Sequence, residues 1–102
     1  MATSDIINEL LKDITDPTIR VDFVATFGLI KEAYVSGRID DDKVKRYLME
    51  LVVDVLMLKN PDATIESIKE EAEMWTQRIY SVFRIMRLKK EAMMLHRQRE
   101  FI

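Results

Sequence analysis

Residues 63–102, ATIESIKEEAEMWTQRIYSVFRIMRLKKEAMMLHRQREFI, contain neither a glycine nor a proline. These two residues most often interrupt a helix, so a stretch of this length without them predicts one long helix over residues 63–100. At about 1.5 Å of rise per residue such a helix is roughly 55 Å long, whereas a helix of about twenty residues reaches only about 30 Å. We therefore expect its end to project beyond the shorter helices that pack against it.

Eight apolar residues of this segment recur at alternating spacings of three and four, which is typical of a helix face that packs against other helices. Lys89 is the one polar break in this first seam. We expect the seam to face the remainder of the chain, and we expect Trp75 near its middle to be buried. The apolar members of the seam are Ile65, Ile68, Ala72, Trp75, Ile79, Val82, Met86 and Met93.

A second apolar row begins at Ile85 on another face of the same helix. Two apolar faces require two neighbours, and the first seam already accounts for the remainder of the chain. Either the first helix of the chain folds back over this row, or a second chain covers it. A second copy of this protein is the simplest such chain, and another helical protein is the alternative. We call this row the outer row; it consists of Ile85, Leu88, Ala92, Leu95 and Ile102.

The chain before residue 63 divides into three shorter helices with recognisable ends. Ser4 is a residue type that caps helix N-termini, and Asp16 followed by Pro17 is a further start signal. Gly37 fits a C-terminal cap, and Pro61 cannot continue a helix. The predicted helices are residues 4–15, with Ile6, Ile7, Leu10, Leu11 and Ile14; residues 17–36, with Ile19, Phe23, Phe27, Ile30 and Tyr34; and residues 41–59, with Val44, Tyr47, Leu48, Leu51, Val52, Val55, Leu56 and Leu58.

These segments predict an all-α fold, a small antiparallel helical bundle in which three shorter helices pack on one long C-terminal helix. The chain has 102 residues, 48 % of them hydrophobic, which suffices for one core. We therefore expect a single helical domain over residues 1–102. Two glycines and two prolines are too few for the hairpin turns of an all-β fold.

The composition also indicates the kind of environment in which the protein works. The chain has no cysteine, which excludes disulfides and thiolate chemistry and favours a reducing compartment, so we expect a cytoplasmic protein. The most apolar stretch, LMELVVDVLML at residues 48–58, contains Glu50 and Asp54 and is too short to span a bilayer. Charged residues make up 33 % of the chain, while asparagine and glutamine number only four. This balance is typical of thermophile proteins, although seven methionines weaken that interpretation.

The C-terminal part of the long helix is basic. Residues 78–102 contain seven Lys and Arg and two Glu, a net charge of +5, although the whole chain carries only −2. Such a helix can neutralise phosphates, so nucleic-acid binding is the alternative function. The cations also complement the helix dipole and keep the helix soluble, and Glu91 and Glu100 interrupt them in a way that disfavours membrane-surface binding. The candidate nucleic-acid contacts are Arg84, Arg87, Lys89, Lys90, Arg97 and Arg99.

Residues capable of catalysis or metal binding occur without the patterns that such sites need. His96 is the only histidine, and Met93 stands where a Glu-x-x-His motif requires glutamate. The acidic run at residues 40–42 lacks the spacing and the glycine of a calcium loop. Glu50 and Asp54 share a helix face with Arg46 and are typical of an exposed ion-pair row. We therefore predict no catalytic residues, no metal and no cofactor, and a non-catalytic interaction module that self-associates through its long helix.

Overall fold

A computed structural model of the chain contains four α-helices in the part that the structure describes, which is the backbone of residues 3–100 and the side chains of residues 5–97. The predicted all-α bundle with a long C-terminal helix is confirmed. The predictions for the side chains of Ser4, Arg99 and Ile102 lie outside the described residues. The helices are α1 (Thr3–Leu11), α2 (Pro17–Val35), α3 (Asp41–Lys59) and α4 (Ile65–Glu100).

The first helix ends four residues earlier than predicted because cations from other helices bind its last carbonyls. Lys59 Nζ donates to the carbonyl oxygen of Leu10 at 2.8 Å, and Arg20 Nη1 donates to that of Leu11 at 2.9 Å. The last carbonyls of a helix have no partner within it, so these two side chains satisfy α1 at its C-terminus. Ile14 follows the helix and is still buried.

The ends of α2 follow the sequence signals closely. Asp16 accepts hydrogen bonds from the backbone nitrogens of Thr18 and Ile19 at 2.9 and 3.3 Å, as an N-cap does. At the other end, Gly37 adopts a φ of 83°. The backbone nitrogen of Gly37 donates to the Tyr34 carbonyl, and that of Arg38 donates to the Ala33 carbonyl at 2.8 Å. This pair of bonds is the Schellman motif, which ends a helix with a left-handed residue.

Helices α3 and α4 begin at side-chain caps and run antiparallel. Asp40 accepts from the backbone nitrogen of Lys43 at 2.8 Å, and the Thr64 hydroxyl accepts from that of Ser67 at 3.1 Å. Thr64 fixes the start of α4 two residues later than the predicted residue 63. Two contacts show that α3 and α4 run in opposite directions. Asp41, at the start of α3, lies beside Arg84 of α4. Met49 comes later in α3, and it lies beside Thr76, which comes earlier in α4.

The core lies where the three shorter helices pack on the first two-thirds of α4. Helix α3 packs on α4 more extensively than any other pair of helices. Burying these apolar side chains is the main favourable contribution to folding. The fully buried large side chains are Leu10, Leu11, Phe27, Tyr34, Val44, Leu48, Val52, Val55, Leu56, Ile79 and Phe83.

The buried face of α4 is displaced from the predicted first seam. Ala72 and Ile79 are buried as expected, but Thr76 and Phe83 are also buried although the seam omitted them. Trp75 is only partly buried, so the prediction of a buried tryptophan is wrong. Helix α4 contacts α1, α2 and α3 at once. Its buried face is therefore wider than the predicted seam, which takes only two residues from every seven. The two ends of the seam, Ile65 and Met93, are exposed.

Trp75 lies at the margin of the core. Its Nε1 donates to Glu71 Oε1 at 3.4 Å, and the guanidinium of Arg78 lies 4.7 Å from the centre of its ring. A tryptophan with a polar end at the rim of a helical interface keeps its N–H bonded while its rings cover the core.

The molecule is elongated because α4 is much longer than its neighbours. Its 36 residues correspond to about 54 Å, and the 19 residues of α3 to about 28 Å. The principal extents are 60 × 28 × 22 Å, and the radius of gyration is 15.7 Å, whereas a compact chain of 100 residues has about 13 Å. The end of α4 therefore extends beyond the bundle, as predicted from its length.

Candidate interaction surface

The last part of α4 has no cover from the described remainder of the chain. Every residue from 88 to 97 is exposed, although five of these ten are apolar. We call residues 88–97 the projecting segment. An amphipathic helix in a monomeric protein normally turns its apolar residues towards the protein, whereas the described part of the chain leaves the apolar residues of this segment exposed.

The outer row runs along this segment on the side away from the core. Ile85, Leu88 and Leu95 keep 53 %, 51 % and 62 % of their surface exposed, and Ala92 is exposed as well. At about 100° of rotation per residue, these four side chains lie roughly opposite the buried positions 72, 76, 79 and 83. The row is thus an apolar strip on the outside of the bundle.

The described part of α1 does not cover the row members Ile85, Leu88, Ala92 and Leu95, which stay exposed. Its contacts with α4 include the ion pair between Glu9 and Arg78, with 3.4 Å between Oε2 and Nη2. Its other bonds go to Lys59 at the end of α3 and to Arg20 near the start of α2. These partners place α1 at the end of the bundle opposite the projecting segment. Of the two coverings that the sequence left open, the structure does not show the intramolecular one.

Two of the predicted nucleic-acid contacts instead bind the bundle. Arg84 Nη1 lies 3.3 Å from Asp41 Oδ2 and equally far from the Tyr80 hydroxyl. Arg87 Nη1 donates to the Ile39 carbonyl at 3.2 Å, and its Nε donates to Glu91 Oε1 at 3.1 Å. The two arginines fix the base of the projecting segment to the turn between α2 and α3.

A tyrosine and an aspartate complete this anchor. The Tyr34 hydroxyl donates to Asp41 Oδ1 at 2.6 Å, and the Arg87 guanidinium lies 4.8 Å from the centre of the Tyr34 ring. Burial, together with this hydrogen bond and the Asp41 charge, raises the pKa of Tyr34 to about 12. The same hydrogen bond and the charges of Arg84 and Arg87 lower the pKa of Asp41 below its usual range, although burial opposes them. We call Tyr34, Asp41, Tyr80, Arg84 and Arg87 the anchor cluster.

Three of the remaining predicted cations are exposed on the projecting segment. Lys89, Lys90 and Arg97 lie beyond the anchor cluster, and the side chain of Arg99 lies outside the described residues. Lys90 and Arg97 are seven residues apart and therefore share one side of the helix. Of the six predicted contacts, two bind the bundle, three are exposed, and Arg99 lies outside the described side chains.

A second apolar surface, which the sequence interpretation overlooked, lies between α3 and the start of α4. It is a groove enclosing about 350 Å³, with Lys69 and Asn60 as its polar members. Met49, Val53 and Met57 follow one another at intervals of four on α3, and that spacing was a readable signal of a second apolar face. We call it the methionine groove; its apolar lining is Met49, Val53, Met57, Pro61, Ala63, Ile65 and Ile68.

The side chains that were considered for metal binding or catalysis lie mostly on the surface. Among the described residues, no three His, Asp or Glu side chains come close enough together to hold a metal ion. His96 is exposed on the projecting segment, and Glu50 and Asp54 are exposed on α3. Within residues 3–100, none of the helices combines the length and the apolar composition needed to cross a membrane.

Comparison of the chain with protein families, with curated proteins and with solved structures finds no match.

Proposed function

We propose that this protein is a non-catalytic helical assembly module that self-associates through the outer row of α4. One observation carries the proposal: Leu88 and Leu95 are more than half exposed on a segment that no other described part of the chain covers. Contiguous apolar surface of this kind on a soluble chain marks an interaction site. A second copy supplies a cover of matching length, and pairs of identical chains are the commonest assemblies.

The experiment replaces both leucines and measures the mass of the particle. Wild-type protein should sediment at a multiple of its 12.0 kDa chain mass, and Leu88→Asp/Leu95→Asp should sediment at 12.0 kDa. The helical circular dichroism of the variant should equal that of the wild type, because neither leucine lies in the core. The control is Leu29→Asp, which places the same charge at an exposed leucine on α2. A wild-type particle of single-chain mass at high protein concentration would contradict the proposal.

Nucleic-acid binding is the second candidate function, and the exposure of Lys89, Lys90 and Arg97 favours it. Each phosphate contact contributes a slope of about 0.9 to the dependence of log affinity on log salt. Replacing these three residues by alanine should therefore reduce the slope by about three for DNA, while the fold is kept because the anchor cluster is intact. Absence of binding to both DNA and RNA at low salt would exclude this function.

A cytoplasmic location and a chain without cofactor complete the proposal. The absence of cysteine supports a reducing compartment. A different helical protein in place of the second copy is the alternative partner, and it would leave the purified chain at single-chain mass.

A further inference from the structure

We propose that the outer row of one copy docks in the methionine groove of another copy. The inference rests on the proposed function and names the surface that receives the row. Two other receptors were conceivable on the same chain, the outer row of the second copy and the polar surface around the anchor cluster. The latter is lined mostly by charged side chains, and one of its two uncharged members, Leu88, belongs to the row itself, so it offers little further apolar surface to the row of another copy.

The row and the groove match in shape and chemistry. The row members stand at positions 85, 88, 92 and 95, which is the anchor pattern of a helix that lies in an apolar groove. From Ile85 to Leu95 the row is about 15 Å long, and from Met49 to Met57 the groove is about 12 Å long. Methionine side chains are flexible and adapt to the shape of an inserted helix, so such grooves recur at binding surfaces. Met57 and Ile65 are 55 % and 82 % exposed, so the groove is open to a partner.

The chain cannot fill its own groove with its own row. Both surfaces include residues of α4, which contributes Ile65 to the groove and Leu95 to the row, and α4 is one continuous helix between these two residues. Thirty residues of helix separate these two positions by about 45 Å. The receptor for the row is therefore on another copy.

Charge favours the groove over a second outer row as the receptor. In the projecting segment Lys89, Lys90 and Arg97 outnumber Glu91, so two rows packed on each other would bring like charges together. The start of α4, beside the groove, has the opposite sign, since residues 62–77 contain five acidic residues and one lysine. Three of these acids, Glu66, Glu70 and Glu73, are exposed on the helix that forms one wall. Lys69 is the one charged residue that lines the groove itself, and the exposed acids on the same helix outnumber it, so the basic segment of one copy meets net negative charge at the groove of the other.

Two variants test the proposal, each with one half of the contact removed. The row variant is Leu88→Asp/Leu95→Asp, and the groove variant is Met57→Lys/Ile65→Lys. All four positions are at least half exposed, so both variants should fold. Each variant alone should self-associate about tenfold or more weakly than wild type. An equimolar mixture should form pairs of twice the 12.0 kDa chain mass, because the intact row of one binds the intact groove of the other.

The control for the groove variant is Leu58→Lys, which is adjacent in sequence and 56 % exposed but does not line the groove. It should associate like wild type. If the groove variant alone associates like wild type, the groove is not the receptor, while the proposed function still stands. If the row variant associates like wild type, or wild type has single-chain mass, the proposed function itself fails.

Cross-linking gives an independent readout, since the chain has no cysteine of its own. Protein carrying Ala92→Cys is mixed with protein carrying Met57→Cys and treated with a short bismaleimide. The mixture should give a cross-linked pair containing one chain of each kind. Efficient linking of Ala92→Cys chains to each other, without the mixed pair, would show that row packs on row and would overturn the inference.

Discussion

Asp41 joins two elements because its carboxylate has partners on both. Tyr34, near the end of α2, donates to one oxygen, and Arg84 on α4 pairs with the other. A side chain with two such bonds holds the turn between α2 and α3 against α4. Through this residue and its neighbours, the direction of the projecting segment is fixed relative to the bundle.

The stability of the protein should therefore depend on the charge of Asp41. The hydrogen bond from Tyr34, followed by the charges of Arg84 and Arg87, lowers the pKa of Asp41 in the folded state below its unfolded value. The stabilisation is complete above the unfolded pKa and is lost as the pH falls through the folded pKa. Urea unfolding followed between pH 6 and pH 2.5, a range chosen around the usual pKa of about 3.9, should show a steeper loss for wild type than for Asp41→Asn. Parallel profiles would show that Asp41 contributes no such stabilisation.

Phe83 should contribute more to stability than Trp75, although the first seam included Trp75 and omitted Phe83. Phe83 is fully buried and Trp75 only partly buried. Phe83→Ala should cost about 3–5 kcal/mol by leaving a cavity, and Trp75→Ala about 2 kcal/mol because its site is open to solvent. Urea unfolding of both variants measures the difference. A larger loss for Trp75→Ala than for Phe83→Ala would contradict the burial of these two side chains.

At the scale of elements, the ends of helices were predictable where their signals are local. Asp16, Asp40 and Gly37 act on backbone groups within a few residues, so the sequence alone placed the ends of α2 and the start of α3. The end of α1 was misplaced because Lys59, almost fifty residues away, binds its last turn. Bonds between distant residues leave no local pattern in the sequence.

The candidate interaction surface was also predictable only where its pattern is local in the sequence. The outer row was predictable because helical periodicity alone determines which residues share a face. The anchor cluster was not, since Asp41 and Arg84 are 43 residues apart and meet only in the folded chain. Thr76 was missed for another reason: it is polar, and only the packing of α3 on α4 places its hydroxyl beside the sulfur of Met49.

The two glycines should respond to alanine in opposite directions. Gly28 lies inside α2, and a methyl group there meets no heavy atom within 4 Å, so Gly28→Ala should stabilise by about 0.5–1 kcal/mol. Gly37 has a φ of 83°, which alanine adopts only with strain, so Gly37→Ala should destabilise by about 1 kcal/mol. Thermal unfolding of the two variants provides the measurement. Equal shifts of the same sign would contradict the left-handed cap at the end of α2.

At the scale of the whole molecule, the core and the exposed outer row occupy different parts of α4. The core side chains of α4 lie between positions 72 and 83, whereas the exposed row extends from position 85 to position 95. The anchor cluster lies at the boundary and belongs to the fold. Changes in the row should therefore alter association without altering the stability of a single chain.

This separation predicts how thermal stability depends on protein concentration. A partner that binds only the folded chain stabilises it by mass action, so the unfolding midpoint of an assembling protein rises with concentration. The midpoint of wild type should rise over a hundredfold range of concentration, and that of Leu88→Asp/Leu95→Asp should stay constant. Extrapolated to low concentration, the two midpoints should coincide, because the bundle is the same in both. A wild-type midpoint independent of concentration would show that the exposed row stabilises nothing by association, and a variant midpoint far below the extrapolated value would place Leu88 and Leu95 in the fold itself.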